Sequence, residues 1–198
     1  MLGKGSTPAP AGQTGAAASS SQEVATTTYS GSTFTIVYPT DFTVDPAFSN
    51  EEVNPAKPIS GVRFTIPGSM ATGTNLASDT FLSVEWLPRA KNCSGDIYIH
   101  DNVKTHELVD GTLIYSMAST SGAAAGNRYE ETVYAVKNSS PCTAVRYFIH
   151  YGDVANYPAG SVQEFDRAKL IGIFDDMRRS LMLSGSMAPA SSEAPTQP

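Results

Sequence analysis

The chain has 198 residues, 13 of them basic and 19 acidic, for a formal net charge of −6, and 40% of its residues are hydrophobic. That balance, with no basic stripe, argues against nucleic acid or anionic lipid as the default partner. No apolar run approaches the roughly 18 residues of a membrane span, and a module of this size folds on a single core without needing a metal.

Residues 1–27 and 184–198 are polar, low-complexity stretches, and every aromatic residue lies between Tyr29 and Phe174. Segments nearly devoid of aromatic and branched apolar side chains bury too little surface to offset the entropy of ordering. The expectation is disordered tails at 1–27 and 184–198 and one domain at 28–183. Met1-Leu2 is followed at once by Gly, Lys and Ser, with no hydrophobic signal-peptide core. The Ala/Ser/Pro leader is similar to the spacer behind the acylated cysteine of a bacterial lipoprotein. Two readings stay open, a cytosolic protein or the mature form of an exported one; the leader favours the second, periplasmic or in the cell envelope, with a lipid anchor upstream of this sequence.

Residues 33–38 alternate as a strand that stops at Pro39, and Phe42–Val44 resumes it. Pro46, Pro55 and Pro58 mark 45–60 as a loop. Strand signals return at 61–66 and at 80–87, where Leu82, Val84 and Trp86 share a face; residues 68–79 between them read as a loop. Asp110-Gly111, flanked by Leu108-Val109 and Thr112–Ser116, is a two-residue hairpin signal. A small-residue loop is expected at 118–127, then long strands at 128–136 and 142–151 joined by Lys137–Pro141. The period then changes. Ser161-x-x-Glu164 matches a capping box. Phe165, Leu170, Phe174, Met177 and Leu181 mark the stripe of a helix of about twenty residues, with Arg178-Arg179 in its last turn. Antiparallel strands followed by a segregated helix predict an α+β fold, an antiparallel sheet covered by a C-terminal α-helix.

The run Phe34-Thr35-Ile36-Val37-Tyr38-Pro39-Thr40-Asp41-Phe42-Thr43-Val44, then Gly61-Val62-Arg63-Phe64-Thr65-Ile66-Pro67, then a hairpin-rich sheet and a closing helix resemble PsbP/Mog1-like proteins. The resemblance implies an α/β/α sandwich around an antiparallel sheet. It also implies a binding or assembly role, as in the thylakoid-lumen, nuclear-transport and bacterial envelope lipoprotein members. No partner-binding residue of those members is recognisable here, and fold likeness alone does not fix function.

Chemistry-bearing patterns are few. His100-Asp101 and His106-Glu107 have the wrong spacing for a shared metal: about 20 Å apart on a strand, on different faces of a helix. There is no G-x-S-x-G, H-E-x-x-H, Walker or G-x-G-x-x-G motif, so no catalytic residue, cofactor or metal is assigned. Cys93 and Cys142 lie at strand ends and are expected to form a disulfide, which favours an oxidising compartment. In 142–151, Val145, Tyr147, Ile149 and Tyr151 read as core, leaving Arg146, Phe148 and His150 on the other face. Pairing across a turn at Ser139-Ser140 sets Tyr134 opposite Arg146 and Glu130 opposite His150. Tyr134, Arg146, Phe148 and His150 then make a mixed aromatic and charged face for a protein or glycan; cross-strand pairs that merely stabilise the sheet are the plainer account. The sequence thus points to a non-enzymatic, extracytoplasmic binding or assembly module without nucleic-acid partner or membrane span. The alternatives are a small periplasmic hydrolase with an unassigned site, or a secreted enzyme inhibitor acting through loop 68–79 or 118–127.

Overall fold

A computed structural model describes residues 24–184. The strands are β1 (Thr26–Ser30), β2 (Phe34–Pro39), β3 (Thr43–Asn50), β4 (Ile59–Thr65), β5 (Phe81–Leu87), β6 (His106–Asp110), β7 (Leu113–Ala124), β8 (Asn127–Val136), β9 (Cys142–Gly152) and β10 (Met182–Leu183). The helices are the single turn α1 (Gly68–Ala71) and α2 (Arg167–Arg179), with short 3-10 turns at Gly95–Tyr98 and Val154–Asn156. The strands form two antiparallel sheets, a small one ordered β1-β2-β10 and a large one ordered β3-β4-β5-β9-β8-β7-β6.

Alternation decides which side of the large sheet is the main core. Val62, Phe64, Leu82, Val84, Val145, Tyr147 and Ile149 share one face and are buried together with Phe34 and Ile36 of β2 and Leu170, Phe174 and Met177 of α2. The helix lies beside the small sheet: the Val37 backbone N–H donates to Ser180 Oγ at 2.8 Å. The layer opposite the large sheet is thus a second sheet and a helix side by side. The expected α+β fold, and the α/β/α sandwich with it, is corrected to a β-rich sandwich of ten strands with one substantial helix among the described residues. The cause is β1: Thr26 and Thr27, assigned to the tail from their composition, pair with Pro39 and Tyr38 and give β2 a partner of its own. The tails at residues 1–23 and 185–198 lie outside the described residues.

Three local expectations also change. The helix is 13 residues long and opens at Asp166, whose carboxylate accepts from Lys169 N at 2.9 Å, so Ser161 and Glu164 precede it and cap nothing. The strand β3 continues through Pro46 to Asn50, its pairing shifted between Asp45 and Phe48, which an edge strand tolerates. The stretch 118–127 is the outer part of the β7–β8 hairpin, turned by Ala125 at φ +49° and Gly126 at φ +83°. The Asp110-Gly111 signal is matched by the β6–β7 hairpin, with Gly111 at φ +63°.

Cys93 and Cys142 form a disulfide, their Cα atoms 5.2 Å apart. It fastens the segment after β5 to the start of β9, across the second face of the large sheet. There Tyr98 and Ile99 pack on Ile59, Ala118, Val133, Ala135 and Ala144 as a second, smaller core. Gly95 lies flat on β7: a Cβ on it would meet Ala118 N and Ser116 O at 2.8 Å. This cover reaches only part of the second face.

Candidate functional site

The register of β8 on β9 decides which side chains share the open part of that face. Tyr134 stands opposite Val145, Val133 opposite Arg146, Glu131 opposite Phe148 and Tyr129 opposite His150. The expected register is off by one residue, and a one-residue slip exchanges the faces of a strand. A turn in which Ser139 N donates to Val136 O, with Asn138 at φ +64°, shifts the pairing axis. Tyr134 is therefore removed from the binding face. Its ring sits in the main core, 4.9 Å from that of Tyr147 and 4.6 Å from the Arg178 guanidinium. Glu130 is likewise on the core side, where Tyr151 OH donates to it at 2.8 Å.

Arg146, Phe148 and His150 do share the second face, joined by residues that the sequence reading left out. A row of rings crosses five strands: Phe48 of β3 lies 5.5 Å from Phe81 of β5, Phe81 is 4.9 Å from Phe148 of β9, and Tyr129 of β8 is 6.3 Å from Phe148 and 4.4 Å from His150. Arg63 of β4 completes it, its guanidinium 5.1 Å from the Phe48 ring and 5.7 Å from that of Phe81. Phe48, Arg63, Tyr129, Phe148 and His150 are only half-buried. The Phe81–Phe148 and Tyr129–His150 planes are inclined by 20° and 19°. Rings on adjacent strands that stack this way stand upright, so their edges rather than their faces meet solvent. Arg63 and Phe81 occupy the alternate positions of strands recognised in the sequence, so extending the alternation to their outer faces would have found them; Pro46 hid Phe48.

Beneath the row lies a buried ion network. Arg146 Nε donates to Glu85 Oε1 at 2.8 Å, Nη2 to Glu85 Oε2 at 3.0 Å and to Tyr98 O at 2.6 Å, and Nη1 to Glu131. Ser83 Oγ donates to Glu85 at 2.7 Å. Burial works against the Arg146 charge, yet Glu85 first, then Glu131 and Glu52, hold its pKa above the ordinary arginine value. Burial pushes the Glu131 carboxyl up, Arg146 opposes this, and the neighbouring Glu52 adds to it. Phe48, Phe81, Phe148, Arg63, Arg146, Glu51 and Glu52 line a cavity of about 170 Å³ above the network.

His150 and Asp79 have the beginnings of a catalytic arrangement, with Nδ1 2.8 Å from Asp79 Oδ1. The other ring nitrogen, Nε2, is buried without a hydrogen-bond partner, so no hydroxyl nucleophile is aligned on it. Among the described residues no three His, Cys, Asp or Glu side chains gather as metal ligands; His100 and His106 are both exposed. Loop 68–79 is tied down by Asn75, which donates from Nδ2 to Gly152 O at 2.8 Å and accepts from Phe165 N at 2.9 Å. A larger cavity of about 380 Å³ lies away from the row, between α1 and α2, with Phe42, Met70, Leu76, Phe165 and Ile173 in its walls. Its polar lining is Asp41, Ser69, Thr74, Asp166 and Lys169, of which Asp166 caps α2 and the Thr74 hydroxyl bonds within its own turn, donating to Ala71 O at 3.0 Å.

No family model and no curated protein matches this chain. The open face offers an upright aromatic ridge, one half-buried guanidinium and several carboxylates. No helix among the described residues is long and apolar enough to cross a membrane.

Proposed function

We propose that the protein is a non-enzymatic binding or assembly module of the cell envelope, periplasmic or surface-tethered, that engages another protein through the open half of the second sheet face. The observation that carries this is the continuous row Phe48–Arg63–Phe81–Phe148–Tyr129–His150, half-buried at every position but Phe81, beside the part of the same face that Tyr98 and Ile99 cover. Aromatic residues and arginine are the side chains most enriched where proteins meet. The upright rings favour a protein over a glycan, because stacking on a sugar needs exposed ring faces. The Cys93–Cys142 bridge is compatible with an oxidising compartment and supports the extracytoplasmic assignment. The PsbP/Mog1-like pattern at residues 34–44 and 61–67 also favours a binding role, although the sandwich it implies is not the one formed here.

Site-specific photo-crosslinking in the native organism tests the proposal. A benzophenone side chain at position 148 is expected to give a discrete adduct with another protein, and one at Val37, exposed on the small sheet, is expected to give none. Absence of an adduct from position 148, or equal adducts from both positions, refutes it.

A further inference from the structure

We infer that the partner's contacting segment is basic and lays a lysine or arginine side chain across the mouth of the cavity lined by Phe48, Phe81 and Phe148, its charge beside Glu51 and Glu52. The inference rests on the binding role proposed above and gives it a chemistry. Around the row stand six carboxylates, Asp45, Glu51, Glu52, Asp79, Glu85 and Glu131, against two arginines, Arg63 and Arg146. Both arginines are already committed: Arg63 is paired to Asp45 at 3.3 Å, and Arg146 is held between Glu85 and Glu131. Glu51 and Glu52, on the lip of the cavity, are exposed and form no ion pair among the described residues. Much of the chain's net charge of −6 is thus concentrated on this one face.

Phe48, Phe81 and Phe148 line the cavity together with Arg63 and Arg146, so a cation is held at the mouth rather than at the floor: its methylene stem rests on the ring edges and its charged head lies beside Glu51 and Glu52. The rings already receive one guanidinium, that of Arg63, within 6 Å of Phe48 and Phe81. A second cation arriving beside Glu52 also relieves the crowding between Glu52 and Glu131, where burial and the neighbouring carboxyl oppose ionisation of Glu131. The same charges repel phosphate, so nucleic acid and anionic membrane are disfavoured on this face. Complementary charge of this kind speeds encounter and sets orientation.

The purified full chain is titrated with fluorescein-labelled oligolysine and oligoglutamate peptides of equal length, followed by anisotropy and by amide NMR. Oligolysine is expected to bind, to weaken as salt rises, and to move the signals of Phe48, Glu52, Phe81 and Phe148. The double variant Glu51→Gln, Glu52→Gln is expected to bind about fivefold more weakly. The exposed α2 variant Asp176→Asn is expected to bind unchanged. Equal binding of both peptides, or oligolysine binding indifferent to the Glu51/Glu52 change, overturns the inference. A protein crosslinked through position 148 by a segment without basic residues overturns it too, while leaving the binding role intact. Failure of the crosslink removes the binding role itself.

Discussion

Neutralising Glu85 should be one of the most damaging conservative changes in the chain. Glu85 is 0% exposed and Arg146 2%. They share two hydrogen bonds at 2.8 and 3.0 Å, while Ser83 and Asn50 complete the Glu85 carboxylate at 2.7 and 3.5 Å. Glu85→Gln keeps the shape but leaves the guanidinium buried with Glu131 as its remaining counter-charge. Breaking a buried pair on one side costs about 3–5 kcal/mol, and for a domain of this size each kcal/mol lowers Tm by about 2–4 °C. A fall of about 10 °C is expected. The double variant Glu85→Leu, Arg146→Met removes both members of the fully buried pair and should lose less than the sum of the two single losses, since only Glu131, whose side chain is 15% exposed, is left without its partner. Urea unfolding followed by the fluorescence of Trp86, the chain's single tryptophan and the neighbour of Glu85, reads both values. A loss below about 1 kcal/mol for Glu85→Gln, or strict additivity in the double variant, refutes the reasoning.

Reduction of the Cys93–Cys142 bridge frees a loop whose ends are 49 residues apart; the chain-entropy model values this at about 4 kcal/mol, and thermal melts with and without reductant check it, two readily alkylated thiols in the native protein being the contrary result. Tyr134→Ala should cost about 3 kcal/mol of stability, as loss of a large core side chain, whereas Phe148→Ala should cost less and remove the position-148 contact surface; equal destabilisation by the two contradicts the assignment of faces. Asp110 accepts from Arg178 at 2.7 Å and from Arg179 at 3.0 Å, and the Arg178 hydrogen bond, against some desolvation, holds its carboxyl below the usual range. Its contribution is therefore present above the unfolded aspartate value, near pH 4, and is lost as pH falls through the lower folded value. Asp110→Asn should flatten the acid limb of a Tm-against-pH curve, and an unchanged limb contradicts the pairing.

What the sequence made legible follows from one-sided burial. The strands β5 and β9 carry branched apolar and aromatic side chains at alternate positions, so Leu82 and Val84, and Val145, Tyr147 and Ile149, were found as inward residues; in β8 the alternation was visible but its inward face was not, since Tyr134 was placed outward. By contrast, β1 contributes chiefly Tyr29 to the core from the run Thr26–Ser30 and carries almost no periodic signal. The outer half of β7 is Ser, Thr, Gly and Ala, exposed except at Thr120, and looks like a loop for the same reason. Without β1 there was no second sheet to predict, and the helix was left as the sole cover. The candidate site was half legible. Arg146, Phe148 and His150 follow from the alternation of β9 alone, but Tyr134 depended on a register fixed by the turn at Val136–Ser139. The Glu85–Arg146 pair had a signal, opposite charges inside two apolar strands, which becomes readable only once β5 and β9 are known to be neighbours.

The open sheet face is the centre of this account, and its occupancy is most directly measured by hydroxyl-radical footprinting of Phe48, Tyr129 and Phe148 in intact cells and in the purified protein. These rings, half-buried in the isolated chain, are expected to be markedly protected in cells while Val109, 65% exposed elsewhere, is labelled alike in both. Equal labelling of the three rings in both settings would contradict it.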